Sequence, residues 1–364
     1  MRARIIGAGS YVPENIVTNE MLAKVIPEWS AEIIEKKLGI RERRFMWPLD
    51  TVKGKAVPPA DKTKPSTNVD MAVISLEQAL AQAGLSGSDM DALLFVTCTP
   101  DEPLFSHDAM EIHQRLQMRS DCLVNEFESG CGGIAYQLNH ARLLLESGAC
   151  NRVALVASNA TSPCFTGMHI YSDPAFPFEF DPDKPLKMAL SAYVFGDGAG
   201  AIVLDNSGNE NCGILNSYFR VDYGVHVFRS GGGIQWPGNS SRTENWRHGY
   251  YVDGKKVAVD YAKYMEASVR GALRGFENRY DEIERFYFHQ VNRRILEIFL
   301  KSGGFDIGKV PIHVDRYANI SAACTLVLLA EDIHGGHVQL GNGTLTMLAA
   351  MGAGVHYGGH LIVL

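Results

Sequence analysis

The chain has 364 residues, 46% of them hydrophobic and 21% charged, with a formal net charge of −7. That length supports a large core or two fused domains of ordinary size. No run of Lys and Arg stands out, which argues against a nucleic-acid binder, and no apolar run reaches the length of a membrane span.

The N-terminal MRARIIGAGSYVPENIVTNE opens as a strand from Ala3 to Ile6 and a turn, without the apolar stretch and cleavage site of a signal peptide. Asn19 to Leu38 reads as helical and is stopped by Gly39-Ile40. Val52 to Pro65, rich in Lys and Pro, reads as an exposed loop. Val69 to Ala83 has apolar positions three and four apart, the pattern of an amphipathic helix. A buried strand follows from Ala92 to Thr97, a helix from Ser106 to Leu116, a strand from Cys122 to Glu126 and a helix from Gly132 to Leu145. Arg152 to Ser158 is a buried strand. Residues 162–190 hold Pro, Phe and Asp without periodicity and read as an insertion, at about 160–190. Tyr193 to Phe195 and Ala199 to Leu204 read as strands around Gly196-Asp197-Gly198.

The second half repeats the rhythm: a helix from Val257 to Phe276, a strand from Arg285 to Phe288 and a helix from Arg293 to Lys301. A strand from Pro311 to Val314, a helix from Ser321 to Asp332, and strands from Thr344 to Ala349 and His360 to Val363 complete it. Mixed elements of this kind imply an α/β sheet buried on both faces. A weak internal symmetry relates LVNEFESGCGGIAYQL to HVDRYANISAACTLVL, with Cys131 and Asn319 in matching places. Two copies of one fold bring two helix N-termini toward a shared centre.

The seven cysteines, at 98, 122, 131, 150, 164, 212 and 324, are odd in number and lack a CxxC pair. This speaks against a disulfide framework or zinc site and fits a reducing cytosol, hence a cytoplasmic protein. Six of them read as small buried hydrophobes. Cys131 differs. It lies in Glu128-Ser129-Gly130-Cys131-Gly132-Gly133, between a strand and a helix, where glycines admit a substrate. Free N–H groups at the helix start favour a thiolate and can hold an oxyanion. By local sequence alone, nucleophile and small core cysteine remain equally open. His289 ends the apolar strand Phe286-Tyr287-Phe288, where α/β sheets place active-site groups. Asn319 stands at a helix start. Each has an ordinary alternative, a satisfied buried histidine and a plain N-cap, yet both also carry donors for a carbonyl oxygen, and neutral His accepts a proton. His334 with His337, and His356 with His360, lack a carboxylate or cysteine in ligand spacing, so no metal is expected. The glycines of Gly196-Asp197-Gly198 have no helix after them and read as structural rather than phosphate-binding.

With these three residues in order, the chain resembles β-ketoacyl-acyl carrier protein synthase III, the initiating condensing enzymes of the thiolase superfamily. The resemblance runs through Gly7-Ala8-Gly9-Ser10-Tyr11-Val12-Pro13, Ile16-Val17-Thr18-Asn19, Gly39-Ile40-Arg41-Glu42-Arg43-Arg44 and the nucleophile loop. It continues in Phe195-Gly196-Asp197-Gly198-Ala199-Gly200-Ala201, Asp253-Gly254-Lys255-Lys256-Val257, His289-Gln290-Val291-Asn292, Asn319 with Ser321-Ala322-Ala323, and Gly352-Ala353-Gly354. It implies an α/β thiolase fold of two similar βαβαβαββ halves in five αβαβα layers. Residues 1–207 form the half with the nucleophile, and residues 208–364 the half with His289 and Asn319. It implies that Cys131 takes an acyl group from a thioester. His289 and Asn319 then bind a malonyl-type thioester and stabilise the enolate left by loss of carbon dioxide, giving a 3-oxoacyl product. Backbone N–H groups of Cys131 and Ala353 form the oxyanion hole, and Phe105, Met351 and Gly352 line the substrate tunnel. Substrates arrive on coenzyme A or acyl carrier protein, no resident cofactor is needed, and the protein is a homodimer.

Several positions depart from the family pattern. The nucleophile is followed by Gly132-Gly133 rather than Ser-Gly. Asn319 follows Tyr317-Ala318 rather than His-Gly, and the closing Phe-Gly-Gly-Gly is Met351-Gly352-Ala353-Gly354. The Trp that stacks on the coenzyme A adenine aligns near Ile33, with Trp29 one helical turn away. These changes point to an unusual acyl chain, or to the joining of two carrier-bound chains, in specialised, polyketide or fatty-acid-like biosynthesis. Two alternatives are transfer of the acyl group to a hydroxyl or amine without decarboxylation, and an inactive partner subunit of a condensing heterodimer.

Overall fold

The computed structural model describes residues 1–102, 106–165, 186–209, 211–224, 226–229 and 250–364. Phe105 and most of the insertion at about 160–190 lie outside the described residues.

Two sheets organise the chain. The first joins β1 (Arg2–Tyr11), β6 (Ala92–Thr97), β7 (Leu123–Glu128), β8 (Arg152–Asn159) and β9 (Gly198–Gly208) in the order β1-β9-β8-β6-β7. β6 is parallel to β7 and β8, while β9 runs antiparallel to β8 and β1. The second joins β10 (Gly213–Gly224), β13 (Arg285–Phe288), β14 (Leu345–Gly352) and β15 (Gly354–Val363) in the order β10-β15-β14-β13. Here β13 is parallel to β14, and β15 is antiparallel to β14 and β10. The second order repeats the first with one outer strand missing. Short ribbons pair β2 (Ile16–Thr18) with β3 (Glu42–Arg44), β4 (Leu49–Asp50) with β5 (Lys55–Ala56), and β11 (Val227–Arg229) with β12 (Tyr250–Val252).

Helices make the remaining layers. α3 (Asn68–Ala83) covers the outer face of the first sheet beside α4 (Asp108–Arg115). α7 (Gly254–Ala272) covers the outer face of the second beside α8 (Arg293–Gly303). α5 (Gly133–Glu146) and α10 (Cys324–His334) lie between the sheets and touch both. Their composition follows from this place. A helix flanked on both sides must be apolar nearly all round, and α10 buries Cys324, Thr325, Leu326, Val327, Leu328, Leu329 and Ala330 in succession. α3 is delimited locally: Thr67 and Asp70 form a capping box, and Gly84 closes it at φ +68.

Three expectations change. Asn19 to Leu38 is two helices, α1 (Asn19–Val25) and α2 (Ala31–Leu38). Pro27 stops the first by lacking an N–H, and the Ser30 side chain caps the second. Tyr193 is not in a strand. It ends α6 (Leu186–Val194), whose Leu-Lys-Met-Ala-Leu start favours a helix, and only Phe195 makes a single bridge, to Asn319. Pro311 to Val314, the position of the missing strand, forms no strand: residues 311–313 are irregular and Val314 opens α9 (Val314–Tyr317). Pro311 donates nothing to a ladder, and the N–H groups of His313 and Val314 go instead to Gln290 Oε1, both at 3.1 Å.

Candidate active site

The nucleophile loop is short because both its ends are tied. Ser129 N–H continues the sheet to the Thr97 carbonyl at 2.9 Å, and Gly133 N–H turns back to Gly130 at 2.9 Å. Cys131 therefore stands immediately before Gly132, the N-cap of α5, which no side chain caps. Gly132 and Gly352 allow the turn between β14 and β15 to lie on this loop. A Cβ on Gly352 would stand 2.2 Å from Gly132 N and 2.8 Å from Cys131 N, and one on Gly132 would stand 2.2 Å from the His356 carbonyl oxygen. Ala353 N approaches the same loop, 3.6 Å from where a Cβ of Gly130 would be. Met351 is buried beside it.

Among the described residues two groups reach the sulfur. Ser321 Oγ lies 3.4 Å from Cys131 Sγ, and Asn319 Nδ2 lies 4.0 Å from it. Asn319 is held at both backbone ends: its N–H donates to the Val194 carbonyl at 2.9 Å and its carbonyl accepts from Gly196 N–H at 3.1 Å. Its Oδ1 accepts from Ser321 N–H at 2.8 Å, which leaves the amide nitrogen on the sulfur side. Gly196-Asp197-Gly198 is the buttress of this segment. The buried Asp197 carboxylate accepts from the N–H groups of Met46, Thr161 and Ser162 at 2.8, 2.6 and 3.0 Å. The motif follows α6 rather than a strand, and its role is structural.

His289 leaves β13 with its N–H still on the ladder, donating to Ala349 at 2.9 Å, and its carbonyl accepts from the Tyr261 hydroxyl. The ring is wholly buried, and among the described residues neither nitrogen has a hydrogen-bond partner. Burial, with a smaller contribution from His313, pushes its pKa down to about 3. The imidazole is therefore neutral at physiological pH, able to accept a proton at one nitrogen and donate from the other.

The thiol itself corrects an expectation. A helix start favours thiolate, but burial pushes the Cys131 pKa up, outweighing the hydrogen bonds from Ser321 and Asn319. Burial thus favours the protonated thiol at Cys131. Cys98 is a second correction. It is not a plain packing residue: its Sγ lies 3.4 Å from the same Ser321 hydroxyl. Its available signal was position, since β6 and β7 are parallel with Thr97 opposite Glu128, and Cys98 leaves the same end as the nucleophile loop.

Trp29 is engaged internally. It stacks on Tyr193 with centroids 5.2 Å apart and planes at 11°, and Lys37 Nζ sits 4.4 Å from its ring centre. Ile33 is 40% exposed. Among the described residues no group of three or more His, Cys, Asp or Glu is arranged to hold a metal. His360 is a packing histidine, with Ser217 Oγ and the Ala135 carbonyl each 2.9 Å from its ring nitrogens. No helix among the described residues is long and apolar enough to cross a membrane.

Comparison with known proteins agrees with this geometry. A family described as 3-oxoacyl-[acyl-carrier-protein (ACP)] synthase III C terminal matches residues 277–364. The β-ketoacyl-[acyl-carrier-protein] synthase III of Paramagnetospirillum magneticum is 30% identical over 366 residues, spanning 100% of this chain and 99% of that protein. The protein of the same name from Syntrophomonas wolfei is 29% identical, spanning 100% and 97%. The crystal structure of 3-oxoacyl-(acyl carrier protein) synthase III from Pseudomonas aeruginosa superposes with a TM-score of 0.77 at 23% identity, covering 100% of this chain and 98% of that one. A structure of Xanthomonas campestris OleA with bound lauric acid and lauroyl-CoA gives 0.80 at 17% identity, covering 100% and 99%. The fold is thus the layered α/β thiolase fold.

Proposed function

Because the chain belongs to the β-ketoacyl-[acyl-carrier-protein] synthase III family of condensing acyltransferases, we propose that Cys131 carries the acyl group and that His289 and Asn319 serve the second substrate. The observation that carries this reading is the approach of Asn319 to the sulfur: its Nδ2 is 4.0 Å from Cys131 Sγ. His289, a neutral imidazole whose ring nitrogens have no partner among the described residues, ends β13, the strand beside β14, which leads to the Gly352-Ala353 turn. Cys131 gives up its proton as its sulfur attacks an acyl thioester, and the tetrahedral oxyanion is met by backbone N–H groups of Cys131 and Ala353. The carbon–sulfur bond to the carrier breaks, and the carrier departs as a thiol that has taken up that proton. His289 and Asn319 then donate to the carbonyl of a malonyl-type thioester. Carbon dioxide leaves, and the enolate carbon attacks the acyl-cysteine to release a 3-oxoacyl thioester.

The substrate is a specialised one in this reading. Support comes from Gly132 and Gly352, which let two loops close on each other beside Cys131, and from Ile33, an exposed aliphatic side chain near which the adenine-stacking Trp aligns. Trp29, one helical turn away, is already stacked on Tyr193, which favours delivery by a carrier protein over coenzyme A. Pairing of two copies through β7 completes the proposal. This edge strand is half-exposed, Leu123 is 41% exposed, and the buried Asn125 Oδ1 has no partner among the described residues.

Incubation with a panel of acyl-coenzyme A and acyl-carrier thioesters, reading the mass added to Cys131, tests the loading step. Carbon dioxide release that depends on a malonyl thioester then separates condensation from simple acyl transfer. Wild type that never gains an acyl mass, like Cys131→Ala, refutes the proposal.

A further inference from the structure

Ser321 stands between two sulfurs. Its Oγ is 3.4 Å from Cys131 Sγ and 3.4 Å from Cys98 Sγ. A hydroxyl has one proton and so donates to one sulfur at a time. The groups behind Cys98 set a direction. Asn159 Nδ2 donates to the Gly196 carbonyl at 3.0 Å, which turns Oδ1 toward Cys98, and the Cys98 thiol donates to it at 3.1 Å. With its proton committed there, Cys98 meets Ser321 as an acceptor. Ser321 is also held tightly. It is 2% exposed, Asn319 Oδ1 holds its N–H, and its φ is +53. A non-glycine residue takes that conformation only where its surroundings enforce it.

We propose that Ser321 is a positioning residue whose hydroxyl rests on Cys98 and turns to Cys131 when that sulfur becomes a thiolate, stabilising the nucleophile only while it is charged. This rests on the reading of Cys131 as the acyl-carrying residue. The driving force is the greater strength of a hydrogen bond to an ion, roughly twice that to a neutral acceptor. Among the described residues no cationic side chain acts on the Cys131 thiol. The titratable groups there that face the sulfur are Cys98 in the loop after β6, Tyr261 of α7 and Cys324 of α10, and burial raises the pKa of all three. Nearby His289 is neutral as well. Ser321 keeps its own proton throughout, so it is not the base. Once Cys131 is acylated its charge is gone, and the hydroxyl returns to Cys98.

The test is the pH dependence of Cys131 alkylation by iodoacetamide in the full chain, read peptide by peptide so that Cys98 is scored separately. Ser321→Gly removes the hydroxyl while accepting φ +53, and Ser321→Ala is the companion variant, each checked for native circular dichroism. Both should raise the alkylation midpoint by about one pH unit and slow the reaction near neutrality about tenfold. Cys98→Ala removes the resting acceptor and should lower the midpoint. That effect should vanish in the Cys98→Ala, Ser321→Gly double variant. An unmoved midpoint in a folded Ser321 variant overturns the proposal, as does a Cys98→Ala effect that persists undiminished without the hydroxyl. Failure of wild type to take acyl groups from thioesters is a separate result, which strikes the loading reading and not these midpoints.

Discussion

Gly132 and Gly352 occupy one another's side-chain space: a Cβ on Gly352 would stand 2.2 Å from Gly132 N, and a Cβ on Gly132 would stand 2.7 Å from Gly352 N. Real Cβ atoms do not approach backbone so closely, so either substitution must push the two loops apart. Gly132→Ala and Gly352→Ala should each cost about 1–3 kcal/mol of stability. They should also lower acyl loading of Cys131 by at least about tenfold, because the N–H groups on both loops shift. Denaturant midpoints and the rate of mass gain report the two effects. A fully active, equally stable alanine variant contradicts the close packing.

Replacing His289 or Asn319 should separate the two half-reactions. His289→Ala and Asn319→Ala remove donors for the second thioester, and each should reduce malonyl-dependent carbon dioxide release by about 10²-fold or more. Acyl mass on Cys131 should still appear. If both half-reactions fall together to the same extent, the division of labour is wrong.

Buried histidines make an acid-sensitive fold. Burial lowers the pKa values of His289, His313 and His360 from 6.5 to about 3, 4 and 4. Between those values and 6.5 the unfolded chain binds protons that the folded chain refuses, so stability rises with pH across the window. It is complete above about 6.5 and declines as pH falls toward 4 and then 3. His360→Gln, away from the sulfur, should flatten the decline measured by urea denaturation between pH 7 and pH 4. An unchanged slope rules out His360 as a contributor.

The environment of Trp29 bears on the thioester donor. Since Trp29 already stacks on Tyr193, Trp29→Ala should leave KM for acyl-coenzyme A within about twofold while lowering stability by about 1 kcal/mol. Ile33→Trp, at an exposed site, should lower that KM by up to about tenfold and leave carrier-protein substrates unaffected. A large KM increase in Trp29→Ala refutes the carrier-first reading.

Much of this arrangement was readable from local pattern. The strand from Arg285 to Phe288 has its expected bounds, because Phe286, Tyr287 and Phe288 are buried together and leave a clear apolar run after Arg285. Cys131, His289 and Asn319 each sit where a sheet or turn ends, a place marked by glycines or a polar break. Residues with no such mark were missed. Ser321 and Cys98 meet only because the start of α10 passes the end of β6, a contact across 223 positions of sequence. The thiol pKa was misjudged for a related reason: helix ends are visible in sequence, whereas the depth of burial that outweighs them is not. Pro27 and Pro311 break elements that apolar periodicity alone would continue, because each lacks the N–H that a helix or ladder needs.

The irregular stretch from Pro311 to His313 also governs growth of the sheets. A strand edge invites another chain only where its neighbour leaves amides and carbonyls in ladder register. Beside β13 the Gln290 side chain intervenes: its amide donates to the Pro311 carbonyl at 2.7 Å, and its oxygen receives two N–H groups from the following residues. That flank is sealed from within. The corresponding flank of the first sheet, β7, keeps a half-exposed face. The two related sheets thus end differently, one closed by a side chain and one with an exposed edge strand, so the pairing of copies proposed along β7 would make a closed pair rather than an open ribbon.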